Sequence, residues 1–228
     1  MLENSHFFRR LRVGFTLAEV LITLGVIGVV AALSIPQLIT AYQKTYVESH
    51  VKHFYATLNN AVRLSAEENG HPTDWVKRNK TYSYAENLKF LQTYIYPYYR
   101  HGSYWEYKTS SGQKYIATEV ISGGVMYFSV DANGLDIMYF PFATKDNKGK
   151  TSPRTYFGFQ FSKYASSTNK KSVNSPDMIE PYIFNWKGTE ADLRNNSTWG
   201  CRKGCTNCSY CTKLLQLKGW KITKDYPW

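Results

Sequence analysis
An apolar run over residues 15–35 constrains this chain more than any other feature, because it reads as one helix and holds a single charge, Glu19. Its roughly 21 residues, at ~1.5 Å of rise each, match a bilayer core of ~30 Å. A carboxylate inside such a span costs on the order of a few kcal/mol unless it reaches the interface, finds a partner or takes up a proton. Glu19 lies close to the polar flank, so snorkelling to the headgroups competes with a functional role.

Arg9, Arg10 and Arg12 precede Gly14, and Phe15-Thr16-Leu17-Ala18-Glu19-Val20-Leu21-Ile22-Thr23-Leu24 follows it. This block closely resembles the N-terminus of type IV pilins and of the pseudopilins of type II secretion systems. The resemblance implies cleavage between Gly14 and Phe15 by a prepilin peptidase, N-methylation of Phe15, and Glu19 as the assembly carboxylate. It also implies the partners: other pilin or pseudopilin subunits, an inner-membrane assembly platform driven by an external ATPase, and the lipid bilayer. A secretory signal peptide is cut after its apolar core, whereas the cut implied here precedes it, so the apolar segment stays on the mature chain. A free amine on Phe15 is then a natural counter-charge for Glu19 of a neighbouring subunit, since a buried pair costs less than either ion alone.

Gly25, Gly28, Ala31 and Ala32 supply the small residues that let helices approach closely in lipid. Pro36 withholds a hydrogen bond from the carbonyl of Ala32 and predicts a kink there. Beyond it the apolar pattern becomes striped: Val47, Val51, Phe54, Leu58, Ala61, Val62 and Ser65 fall on one helical face, with Lys44, Glu48, Lys52, Asn59, Arg63 and Glu67 opposite. Asn69-Gly70 followed by Pro72 marks the stop. The expected organisation is a basic leader at 1–14, a membrane segment at 15–36, an amphipathic continuation at 37–70 and an extracytoplasmic head at 71–228.

The head is long enough for one core. Ser83 and Glu86 have capping-box spacing ahead of a short helix from residue 84 to about 94. Strand-like runs follow at 115–121, 125–130, 135–142 and 156–161, with an Asn133-Gly134 hairpin signal between the second and third. The stretch 162–185 is rich in Ser, Asn and Lys and reads as loop. The expected fold class is therefore α+β and, by the resemblance, pilin-like: a long N-terminal helix on a small antiparallel sheet with a cysteine-rich C-terminal loop. Asp131, Asn133 and Asp136 offer hard oxygen ligands for calcium, but no glutamate stands at the twelfth position of a helix-loop-helix calcium loop, so a plain hairpin is expected.

Cys201, Cys205, Cys208 and Cys211 crowd into one short segment. On an oxidising face they pair as disulfides, and in a reducing compartment the same spacing suits a bound metal. Three pairings are open; joining Cys201 to Cys211 would leave Cys205 and Cys208 for a small ring.

Nothing converges on catalysis. His50 and His53 lack a third ligand nearby, and no phosphate loop, nucleophile elbow or metalloprotease helix is present. The expectation is a structural subunit with no enzyme activity and no cofactor, calcium or a cysteine-bound metal being the alternatives. The formal charge of +11 is dispersed rather than blocked. With the many tyrosines it leaves a second reading open: a minor surface pilin or membrane-anchored module whose basic aromatic head binds nucleic acid, glycan or a host surface.

Overall fold
The computed structural model describes residues 14–75, 80–131, 134–161 and 178–228. The chain forms two compact units, Met1–Gln43 and Lys44–Trp228. Helix α1 (Leu17–Asn69) contributes to both and runs through Pro36 without a break. Ser34 and Thr40 donate side-chain hydrogen bonds to the carbonyls of Val30 and Pro36 (2.7 and 2.9 Å), so the turns around the proline carry additional local bonds.

In the first unit the apolar helix buries almost nothing. Phe15, Leu17, Leu24, Leu33 and Leu38 all expose more than 60% of their surface. By length and composition this helix is able to cross a membrane. A continuous exposed apolar cylinder is not a stable surface in water, so its surroundings must be lipid or protein.

In the second unit α1 behaves as a core helix. Val47, Val51, Phe54, Leu58, Ala61 and Val62 are buried, as the stripe predicts. Gly70 ends the helix in the left-handed region (φ 75°), and Trp75 closes over the end by donating Nε1–H to the carbonyl of Gly70 (3.1 Å). Helix α2 (Tyr84–Phe90) starts with the full capping box: Ser83 accepts from the Glu86 amide while Glu86 accepts from the Ser83 amide. A π-helical turn at Leu91–Ile95 follows it.

Six strands form one antiparallel meander in the order β1 (His101–Lys108), β2 (Lys114–Val120), β3 (Val125–Asp131), β4 (Gly134–Phe140), β5 (Phe157–Phe161) and β6 (Ile179–Pro181). The sheet is thus larger than the four runs expected from sequence. β1 was hidden in an aromatic cluster, and β6 lies inside the stretch read as loop, most of which is outside the described residues. Asp131 pairs with Gly134, which sets a two-residue hairpin loop; Ala132 and Asn133, and with Asn133 the middle ligand of the calcium reading, are outside the described residues. At the β2–β3 turn Gly124 (φ 83°) permits a close approach, because a Cβ there would meet the carbonyl oxygen of Phe140 at 2.4 Å.

One sheet face packs on α1 and α2, with Phe54 stacked on Tyr139 at 4.2 Å and Phe90 on Phe128 at 5.3 Å. The opposite face is aromatic as well. There the Lys148 ammonium sits 4.8–4.9 Å from the ring centres of Tyr107, Tyr127 and Phe140. Burial pushes its pKa down, and the ring quadrupoles offset part of the desolvation cost.

Asn59 corrects the stripe reading. Placed on the polar face by periodicity, it is buried, and it exchanges two hydrogen bonds with the backbone of Ile179 (2.9 and 2.8 Å). Its amide serves as a surrogate strand edge and holds β6 to α1.

Candidate functional site
Gly14 and Phe15 lie just ahead of α1, both exposed, and the leader arginines Arg9, Arg10 and Arg12 are outside the described residues. Thr16 and Glu19 form a reciprocal cap. The Thr16 amide and hydroxyl donate to Glu19 Oε2 at 2.8 and 2.9 Å, and the Glu19 amide donates to Thr16 Oγ1 at 3.2 Å. This is a capping box, and its Thr-x-x-Glu signature was legible in the sequence. It stabilises the exposed first turn and puts a negative charge at the positive end of the helix dipole. Both bonds fall on Oε2; among the described residues Oε1 accepts none.

Gly25 and Gly28 sit in α1 with nothing within 4 Å of where a Cβ would stand. Glycine inside a helix costs about 1 kcal/mol against alanine. No intrachain contact among the described residues accounts for it.

The C-terminal cysteines form two nested disulfides, Cys201–Cys211 and Cys205–Cys208, and no thiol is left over. The four sulfurs are thereby engaged with one another rather than available as thiolates. Cys211 opens helix α4 (Cys211–Leu217), and the Cys201 amide donates to Leu193 in helix α3 (Glu190–Asn195) at 2.7 Å, so the outer bridge ties two short helices together. Ring closure over ten residues contributes about 3 kcal/mol in the chain-entropy account. Replacing Cys201 and Cys211 by alanine is expected to lower stability by about that amount, and replacing Cys205 and Cys208 by less. Urea midpoints of the wild type and the two double variants, with and without reductant, check the order.

Glu48, assigned to the solvent face by periodicity, accepts from the Ile222 amide (2.7 Å) and pairs with Lys221 (2.9 Å). Arg194 binds the carbonyl and the carboxylate of Asp225, and Tyr226 is buried with its hydroxyl on the carbonyl of Pro153 (2.7 Å). These contacts dock the aromatic tail on the head. Tyr55 donates to the buried carboxylate of Glu180 (3.2 Å), which also accepts from Gln216 (3.3 Å). Burial, with the Glu180 charge second, pushes the Tyr55 hydroxyl up to about 12.

His50 stacks on Tyr46 at 3.7 Å and its Nδ1 lies 2.8 Å from the Tyr46 carbonyl, which gives this ring a structural place. Among the described residues no three His, Cys, Asp or Glu side chains gather as a metal site. Asp131 and Asp136 lie on one face of the hairpin strands, and burial, with repulsion from Asp131 second, pushes the Asp136 carboxyl up to about 7.

Two grooves flank the solvent side of α1 in the head. The larger, about 860 Å³, has Lys52, Tyr55, Arg63 and Trp220 in its walls; the smaller, about 480 Å³, has His53, Tyr98, Arg100 and Ile121. Ala56 and Asn60 border both.

The model of one protein family, described as a family of unknown function (DUF6613), matches residues 37–228. No curated protein and no solved structure matches the chain significantly.

Proposed function
We propose that this chain, which belongs to the family of unknown function matched over residues 37–228, is the precursor of a type IV pilin-like or type II secretion pseudopilin subunit. A peptidase hydrolyses the Gly14–Phe15 peptide bond, and a methyl group is added to the new amine. The subunit is held in the inner membrane by α1, with its head outside the cytoplasm. It then enters a filament through contacts between apolar helices. It performs no chemistry itself.

The observation that carries this reading is the block from Gly14 to Glu19 at the head of an exposed apolar helix. Oε2 of Glu19 caps its own helix while Oε1 is left to accept from a neighbour's Phe15 ammonium. The uncompensated Gly25 and Gly28 support close packing against another helix.

Intact mass and N-terminal peptide mapping of chain recovered from membranes, with and without a prepilin peptidase, test the proposal. The expected product begins at Phe15 with one added methyl, only when the peptidase is present; an unprocessed leader in both samples refutes it. Two variants separate charge from cap. Glu19→Ala loses both, about 1 kcal/mol of helix stability included. Glu19→Gln keeps a residue competent in a capping box but removes the charge. Both are expected to insert in the membrane and to drop out of filaments. Normal incorporation of Glu19→Gln would assign Glu19 to the cap alone.

A further inference from the structure
We propose that the solvent face of α1 in the head binds single-stranded nucleic acid, a site that does not depend on the filament reading. Lys52 and Arg63 are eleven residues apart, close to three helical turns, so they project from one side of the helix roughly 16 Å apart. Arg100 adds a third cation across the ridge formed by Ala56 and Asn60. No aspartate or glutamate lines either groove among the described residues.

Lys80, Lys114, Arg194, Lys218 and Lys221 pair with carboxylates, while other cations of the head, Lys89, Lys108 and Arg202 among them, form no ion pair among the described residues; the grooves differ in gathering such cations beside an aromatic wall. Lys52 and Arg100 have no acidic partner among the described residues, and Arg63 bonds only the neutral Asn60, at 2.8 Å. Cations left unneutralised on one face favour a polyanion, which releases its counterions on binding.

Trp220 supplies the second, independent observation. Helix α4 ends in a Schellman motif, with Gly219 donating to Gln216 (3.0 Å) and Trp220 to Leu215 (2.8 Å). Gly219 takes the left-handed conformation such an ending needs, yet Trp220 is left-handed too, at φ 64°. A bulky residue there is strained, the kind of cost that collects at functional sites. What the strain accomplishes is placement: the half-buried indole lies 5.0 Å from Tyr55 in the wall of the larger groove. A flat ring between unpaired cations suits a base stacked on the indole, with phosphates on Lys52 and Arg63. A single strand is required, because paired bases have no free face to offer the ring.

The test is fluorescence anisotropy of a labelled oligothymidylate titrated with the full chain in non-ionic detergent at several salt concentrations. Binding should weaken linearly in the logarithm of salt. Lys52→Gln, Arg63→Gln and Arg100→Gln should each reduce the slope by about 0.7. Trp220→Gly, which relieves the backbone strain, should weaken binding roughly tenfold with the slope unchanged. Trp220→Phe, which keeps a ring, should recover most of that loss and serves if the glycine variant does not fold. Lys203→Gln, exposed in the disulfide loop, should change nothing. Absence of binding at low salt would overturn the proposal. So would equal losses from Lys203→Gln, or tighter binding of duplex than of single strand. Self-association abolished by Lys52→Gln with Arg63→Gln, without oligonucleotide binding, would instead make this face a contact between copies of the chain.

Discussion

Phe54→Ala is expected to lower the unfolding free energy of the head by about 3–5 kcal/mol. Phe54 is fully buried and stacks flat on Tyr139 at 4.2 Å, with Phe159 at 5.4 Å and the edge of Tyr99 at 6.4 Å. It is the point at which α1 meets strands β4 and β5. Truncation removes the transfer energy of the ring and leaves a cavity whose walls are poorly placed to collapse. Tyr139 is held by its hydroxyl bond to the carbonyl of Gly123 (2.7 Å), and Phe159 by the ladders of β5. Phe54→Leu should recover more than half of the loss, because it restores most of the volume. Urea unfolding of the full chain in detergent, followed by tryptophan fluorescence, measures both. A loss below about 1 kcal/mol for Phe54→Ala would mean that α1 does not anchor the head.

The second large effect is on pH dependence. Asp136 sits on β4 beside Asp131 and within electrostatic reach of Tyr115, Tyr156 and Tyr182. No hydrogen bond to its carboxyl is formed among the described residues. Burial favours the neutral acid, so the folded chain holds this proton up to about pH 7, whereas the unfolded chain releases it near the ordinary carboxylate value of about 4. Between those limits the native state binds more protons than the unfolded one, and stability falls as pH rises. The contribution is complete below about pH 4 and gone above about pH 7. At 1.36 kcal/mol per pH unit, raising the pH from 5 to 8 should cost about 2–3 kcal/mol, an upper bound because nearby water screens the charge. Asp136→Asn should remove this part of the slope. The check is the urea midpoint of both chains across that range; identical slopes would show that Asp136 stays ionised in the fold. A cation bound between Asp131 and Asp136 would reverse the sign, so repeating the wild-type series with added calcium tests that alternative in the same experiment.

Several elements could be read directly from the order of residues. The apolar helix, the buried stripe of α1, its stop at Gly70, the Ser83–Glu86 box and the hairpin between β3 and β4 each depend on neighbours within a few positions. The Thr16–Glu19 box belongs with them, since Glu19 serves as a cap as well as a charge. β1 escaped because it is an edge strand whose register shifts between His101 and Tyr104, so its alternation is broken where it begins. β6 escaped because three residues of strand are specified by the partner edge of β5 rather than by their own pattern.

The candidate sites divide along the same line. The sequence by itself determined the apolar helix, the motif at its head and the placing of four cysteines in one short segment, since periodicity and composition act locally. Only the tertiary structure decided which cysteines pair, that Asn59 and Glu48 turn inward to hold β6 and the tail, that Asp136 is half-buried on the same sheet face as Asp131, and that Trp220 reaches the groove beside Lys52 and Arg63. Each of these depends on groups far apart in the chain meeting in a low-dielectric interior or along one helix face, and no local pattern encodes that meeting.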